Sequence, residues 1–305
     1  MNDGKRYNTL NSEMIKIFGK KTIKLSLDGG FSCPNRDGTI GDRGCIFCGE
    51  RGSGEFTNFN LCLSSQADEQ IKLISKKWDT DKYIAYFQSF TNTYAPIEKL
   101  EDLYTQALEI PGVVGIAIAT RPDCLSEEIL DYLELLNRKT FLWVELGLQT
   151  IHENTAKLIR RGYELDVYDD AVSQLKLRDI RVVTHAIIGL PYETKEEILK
   201  TCDYIAHKKL WGIKLHSLYI QKDTDLYDFY LNNPFKIMSK EEYIDIITEI
   251  IRILPKELVI HRLTGDGDKS LLFEPVWSKN KLGVLSSIDK ALKEKNIYQG
   301  DQWKL

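Results

Sequence analysis

The chain has 305 residues, 43% of them hydrophobic and 28% charged, with a net charge of -4. That supports a large core in the size range of one α/β barrel and gives no global attraction to nucleic acid or to an anionic membrane. Lys, Asp and Asn break up the opening segment and no apolar run approaches the ~20 residues that span a bilayer, which predicts a cytoplasmic protein with no signal peptide and no membrane association.

In chain order, residues 1–22 read as a polar lead-in with an amphipathic helical piece over 10–18. Residues 23–27 (IKLSL) alternate as a strand with one covered face does. Residues 29–53 (GGFSCPNRDGTIGDRGCIFCGERGS) are too rich in Gly, Asn, Asp, Arg and Pro for helix or strand, and hold Cys33, Cys45 and Cys48. Helical spacing over 63–78 precedes a strand at 83–87, which runs into Gln88-Ser89-Phe90-Thr91-Asn92-Thr93. A helix over 96–108 starts on a proline. Residues 113–119 are small or β-branched throughout, as strands buried on both faces are. This strand ends in Thr120-Arg121-Pro122-Asp123, and a helix is expected at 126–138.

The rhythm continues with a strand at 140–148, apolar except for Glu145 and ending at Gln149, then a helix at 166–178 and a strand at 182–188 that ends in Gly189-Leu190-Pro191. Thr194 and Glu197 form a capping box for the next helix, and 212–220 is a sixth strand. Six strands separated by helices predict a right-handed βα array, closed or partly closed into a barrel. Past Gln221 the pattern changes: a helix capped by Ser239 and Glu242, a short seventh strand at 258–262 and a terminal helix at 279–295. The expected organisation is a lead-in packed on the core (1–22), a barrel (23–225) and an extension packed on it (226–305).

Polar residues interrupt the pattern at strand ends or within strands, where a barrel gathers its active site. They are the cysteine loop, Gln88, Ser89, Thr120 to Asp123, Glu145, Gln149, His185, Lys214 and His216. A charge within an apolar strand needs a partner, so Glu145 is expected to face the barrel mouth or lumen, or to pair internally with Arg121 or Lys214. Three thiolates from one loop are metal chemistry, and a four-iron cubane held by three cysteines keeps one iron open. The basic residues Lys16, Lys20, Lys21 and Lys24 before the loop, Arg36, Arg43 and Arg51 within it, and Arg160 and Arg161 are candidates for an RNA-binding patch.

Cys33-x11-Cys45-x2-Cys48, with Phe47 before the last cysteine, resembles the radical S-adenosylmethionine (SAM) superfamily. Three residues between the first two cysteines is the commonest pattern there. The eleven here resemble the widened loop of relatives of the Elongator catalytic subunit. GGFSCPNRDGT, YFQSFTNTYAP, IATRPDCL, WVELGLQT and HRLTGDG closely resemble the YhcC/YtqA-type subfamily over most of the chain.

The resemblance implies a partial (β/α)6 TIM-like barrel of the radical SAM type with a C-terminal α/β extension. It implies a [4Fe-4S] cluster on Cys33, Cys45 and Cys48 that reduces SAM to methionine and a 5'-deoxyadenosyl radical, fed by a donor such as flavodoxin or ferredoxin. By position, Gln88 and Ser89 would meet the methionine amino group and Glu145 the ribose, with Gln149 at the same strand end. Phe47 and residues 187–189, including Ile187 and Gly189, would meet adenine. Arg121 would clamp the methionine carboxylate or a substrate anion through its fork. His185, His216 and Lys214 are the candidate catalytic residues, and His261, Arg262 and Asp266 form a glycine-bounded loop that is a candidate cover for the barrel mouth. The implied substrate is tRNA, whose wobble-uridine carboxymethylaminomethyl group becomes aminomethyl.

Three other readings stand beside this one: a radical SAM enzyme with a small-molecule substrate, a zinc-bearing nucleic-acid-binding protein with Cys62 as fourth ligand, and a dithiol redox pair at Cys45 and Cys48.

Overall fold

The computed structural model describes residues 4–52 and 60–304. Ser53, the last residue of the predicted cysteine loop, lies outside the described residues, as do the outermost residues of the lead-in and the extension. The elements follow the order α1 (Leu10–Phe18), β1 (Ile23–Leu27), α2 (Leu63–Ile74), β2 (Tyr83–Phe87), α3 (Ile97–Glu109), β3 (Val113–Thr120), α4 (Glu127–Lys139), β4 (Phe141–Gln149), α5 (Glu153–Leu158), α6 (Leu165–Leu177) and β5 (Arg181–Ile188). Then come α7 (Lys195–His207), β6 (Gly212–Ser217), β7 (Ile220–Gln221), α8 (Asp225–Asn232), α9 (Lys240–Ile253), β8 (Val259–Arg262), β9 (Leu272–Glu274) and α10 (Lys281–Glu294).

Seven strands form one parallel sheet in the order β1-β2-β3-β4-β5-β6-β8. The sheet curls without closing, so the fold is a half-barrel with helices outside. The short strand expected at 258–262 pairs with β6 as a full member of that sheet. Residues past Gln221 thus supply a barrel strand, as well as β9, which forms a separate antiparallel pair with β7. The outer edge of β8 is covered by the lead-in, where Ile260 N–H donates to Asn8 O at 2.8 Å and Thr9 bridges Ile260. Covering an edge in this way removes a template for unwanted pairing.

Apolar side chains on the outer face of the sheet pack against the helices, and Leu100, Tyr104, Leu133, Leu175 and Ile205 are fully buried there. The inner face is different. Toward the strand N-termini, Ile84, Ala117 and Trp143 pack with Met14 of α1, and Phe18, Phe141 and Trp211 join them, so α1 plugs that end. Toward the strand C-termini the inner face turns polar, which is where a barrel places its chemistry.

Helix ends carry the predicted caps. Thr194 and Glu197 exchange both bonds of a capping box at α7, as Ser239 and Glu242 do at α9. Thr194→Ala is expected to cost about 1 kcal/mol, visible as a lower urea midpoint with an unchanged slope.

Candidate active site

A cavity of about 400 Å³ opens at the C-terminal end of the strands, and Cys33, Cys45 and Cys48 line it. The loop bearing them is tied to the barrel at several points. The turn after β2 holds both of its ends: Thr91 N–H donates to Ser32 O and Phe90 N–H to Gly52 O. A Cβ at Gly52 would lie 2.6 Å from the Phe90 ring, so only glycine fits there. Arg36 donates to Cys48 O and Gly49 O, both at 2.7 Å, which closes the loop on itself. Ile46 N–H donates to Ile159 O, and Ile46 O accepts from Leu226 N–H at 2.7 Å. Ile46 buries its side chain with Ile159, Ile187 and Leu218, which makes it the loop's apolar anchor.

Burial raises the Cys45 thiol and pushes Cys48 up to about 12, with the other cysteines of the loop adding to the rise. Three half-buried soft donors around one space, with thiolate charge disfavoured at Cys45 and Cys48, are relieved by a cationic iron-sulfur group. The donor set therefore fits a cluster. Asn35, not singled out from the sequence, sends its amide toward Cys45 Sγ at 3.7 Å while donating to Arg160 O at 2.6 Å.

Among the described residues no three His, Cys, Asp or Glu side chains converge on a single-ion site. Cys62 is exposed at the N-terminus of α2, within hydrogen-bond distance of the Ser64 and Ser65 hydroxyls. It does not line the cavity, so the four-thiolate zinc reading has lost its fourth ligand. Cys45 and Cys48 lie in a turn closed by Cys48 N–H to Cys45 O, away from a helix start, which also removes the dithiol reading.

Below the cysteines the lumen holds a buried polar layer centred on Glu145, which is 0% exposed. Its Oε2 accepts from Tyr86 OH at 2.9 Å and Lys214 Nζ at 2.8 Å, and lies 2.7 Å from His185 Nε2. Its Oε1 accepts from Trp143 Nε1 at 2.9 Å. Burial alone would raise this carboxyl, but Lys214, Lys24 and His185 outweigh it and hold Glu145 well below the usual carboxylate range. Of the two internal partners expected for Glu145, Lys214 is the one found. Tyr86 and Trp143, which complete the coordination, carried no signal because both read as ordinary core aromatics.

The His185 imidazole is lowered to about 4 by burial and by Lys214, against the pull of Glu145. An unfolded chain with an ordinary histidine binds a proton between pH 6.5 and 4 that the native state refuses, so stability falls as pH falls through that window. Between pH 7 and pH 5 His185 accounts for a loss of about 2 kcal/mol, and His216 and His261, also lowered by burial, add to it. Urea unfolding of the metal-free protein at both pH values checks it: His185→Gln should lose about 2 kcal/mol less than wild type over that interval.

Several expectations change here. Arg121 lines the cavity, but its fork is taken by Asp123, with Nε to Oδ1 at 2.9 Å and Nη2 to Oδ2 at 2.7 Å, while Nη1 donates to Arg161 O. The bidentate clamp therefore holds Arg121 in place. Gln88, Glu145, Gln149, Phe47, His185, Lys214 and His216 all line the cavity. Ile187 lines an adjoining recess shared with Phe47, Gln149 and His216. Ser89 and Gly189 line neither, since Ser89 is turned inward and Gly189 packs near Met238. Gln149 has φ 70 at a bulge against β5, a strained conformation for a non-glycine residue that folds its amide back over Gly147.

The basic stretch before the loop is no patch. Lys20 pairs with Asp81 at 2.6 Å, Lys21 lies over the Trp78 ring, and Lys24 points into the lumen. Lys20 and Lys21 precede β1 and so lie at the end opposite the cysteines. His261 and Arg262 also differ from a surface loop. The His261 side chain is 0% exposed, edge-on to Trp143 and Trp211, and a Cβ on Gly212 would approach its Nε2 to 2.8 Å. Arg262 and Asp266 line the cavity wall.

Comparisons with known proteins follow the same lines. Residues 37–205 match the family model of the radical SAM superfamily, and 210–294 match the radical SAM C-terminal domain. A Bacillus subtilis protein named YtqA is 44% identical over 98% of this chain and 93% of its own length. A tRNA uridine(34) acetyltransferase of Methanocaldococcus infernus is 28% identical over 56% of this chain and 32% of its own. The solved structure of Methanocaldococcus infernus Elp3 superposes with a TM-score of 0.69 at 20% identity, covering 91% of this chain and 64% of that one, a likeness of fold.

Proposed function

The chain belongs to the radical SAM superfamily and is a radical SAM enzyme, and from that premise we propose that it tailors the 5-substituent of the tRNA wobble uridine, converting carboxymethylaminomethyl to aminomethyl, as a YtqA-type member of the family. The observation that carries the radical chemistry is the trio of thiols at Cys33, Cys45 and Cys48 around one cavity at the strand ends. These three cysteines would hold the cluster, and Phe47, Gln88, Gln149 and Ile187 are the residues that would hold SAM. When bound, the cluster and SAM supply a 5'-deoxyadenosyl radical that takes a hydrogen atom.

The chain's own residues prepare the space below. His185 and His216, whose rings are 5.2 Å apart, line it, and burial lowers both so that they are neutral near pH 7. A neutral imidazole there accepts a proton. On the substrate, the methylene between amine and carboxylate loses a hydrogen atom, then an electron to a one-electron acceptor of the flavodoxin or ferredoxin class and the N–H proton to the imidazole. Water adds to the resulting imine, and glyoxylate leaves the aminomethyl product.

The relative that acts on tRNA uridine 34 supports this substrate, as does the fold shared with Elp3. A small-molecule substrate is the second reading, favoured by the acidic net charge and by the engagement of Lys20 and Lys21 elsewhere. The deciding experiment incubates reconstituted enzyme, reductant and SAM with tRNA bearing carboxymethylaminomethyluridine and then digests it to nucleosides. Aminomethyluridine formed together with 5'-deoxyadenosine supports the proposal. 5'-Deoxyadenosine with unchanged tRNA refutes the tRNA assignment.

A further inference from the structure

Among the described residues, cations outnumber carboxylates on the wall of the lumen, and two of them have neither a carboxylate nor a carbonyl within hydrogen-bond reach. Arg36 is held by backbone carbonyls, Arg121 by Asp123, Arg161 by Glu153 and Lys214 by Glu145. Lys24 and Arg262 remain. Among the described residues Lys24 Nζ comes no nearer a carboxylate than 3.9 Å, to Glu145 Oε1, which already accepts from Trp143, and its other neighbour is the face of the Tyr86 ring at 4.3 Å. Arg262 stands 3.8 Å from Asp266, which already pairs with Lys281. Both distances lie beyond hydrogen-bond reach.

The fold brings these two cations together. β1 and β8 are the two edges of the curled sheet, and the curl sets Lys24 and Arg262 along the same cavity. They repel each other there, with Lys281 adding to the repulsion. His216 lines the same cavity, and its Nε2 is buried with no hydrogen-bond partner. Like charges held together in a partly dry recess beside an unsatisfied polar atom are costly. An anion settling between them removes that cost.

We propose that Lys24 and Arg262, with His216 Nε2 beside them, form a seat for a carboxylate carried by the substrate. The guanidinium fork matches a planar carboxylate, and the depth favours one. A group on a methylene arm reaches the lumen, whereas the phosphates of a folded nucleic acid lie along its outside. The assignment deepens the function proposed above and rests on it for the identity of the arm: the carboxymethylaminomethyl group ends in such a carboxylate. Seating that end would hold the adjacent methylene in place for hydrogen abstraction. Lys24 and Arg262 are then residues of substrate specificity.

The test uses N-benzylglycine, which carries the same amine, methylene and carboxylate on a flat ring, against N-benzylglycinamide, its neutral counterpart. Calorimetric titration of the reconstituted, SAM-bound enzyme should show the acid binding at least ~10-fold tighter than the amide, a preference lost in Lys24→Met and Arg262→Gln and kept in Lys24→Arg. Glu145 retains Lys214 and Asp266 retains Lys281, so both variants should fold, which their melting curves check. In the same variants, conversion of modified tRNA should fall ~10-fold or more while uncoupled 5'-deoxyadenosine formation stays within about twofold. Equal binding of acid and amide, or variants that keep the preference, overturn the seat. Acid preference in an enzyme that leaves modified tRNA untouched keeps the seat and removes the tRNA assignment, whereas normal tRNA turnover by both variants does the reverse.

Discussion

Cys45→Ala or Cys48→Ala, reconstituted with iron and sulfide without oxygen, should lack the brown absorption of the wild type and form no 5'-deoxyadenosine above background. The loss should exceed the ~10–100-fold that removal of a group supporting a metal ligand costs, because a ligand itself is gone. The polypeptide should still fold. The loop is fixed by Ile46 in its apolar socket, by Arg36 on the carbonyls of Cys48 and Gly49, and by the turn after β2 at Ser32 and Gly52, none of which needs a thiol. Cys62→Ala serves as the control. Its hydroxyl neighbours hold that thiol down to about 7, which makes it reactive, but it lies off the cavity wall, so colour, iron content and SAM cleavage should match wild type. A colourless Cys62→Ala protein would move the metal site away from the loop trio.

The second large effect concerns stability. Glu145→Leu removes the carboxylate at the centre of the buried lumen layer and strands Lys214, which is only 2% exposed. Breaking a buried pair from one side costs about 3–5 kcal/mol, because the remaining charge is left without compensation. At this chain length that lowers the melting temperature by about 5–8 °C. Adding Lys214→Met should return much of the loss, since an apolar pair of similar volume is often tolerated. A double variant no more stable than the single one would place the cost in Trp143 and Tyr86, whose polar atoms also point at Glu145.

The parts of this molecule legible in its sequence are those with local causes. Alternation gave the first strand, an unbroken β-branched run gave the third, and capping pairs gave two helix starts within a residue. Cys33, Cys45 and Cys48 could be read because their chemistry is rare and their spacing short. What stayed hidden depends on contacts between distant segments. Tyr86 looks like any core aromatic until the curl of the sheet turns its hydroxyl toward Glu145, whereas Trp143, two residues before Glu145 on the same face of one strand, is a local partner that went unread. The strand at 258–262 was legible, but nothing local shows that it joins the main sheet, so the place of His261 and Arg262 inside the barrel, where a cover for its mouth was expected, was not. α5 and α8 are too short for a helical period to stand out. The apparent basic cluster failed for a plain geometric reason: Lys20 and Lys21 precede β1 and stay at its N-terminal end, whereas Lys24 lies within the strand and faces the lumen.

The plug that α1 makes with Met14 against Trp143 and Ile84 makes the lumen a blind well. With the far end stoppered, the cavity opens at the cysteine-bearing rim. A bulky guest bending over that rim would be its own stopper, trapping whatever arrived before it and shielding a short-lived reactive species from bulk solvent. With the tRNA proposed above as that guest, turnover would run in a fixed order: small molecules first, the large one last, and none of the spent fragments free until the large one lifts away.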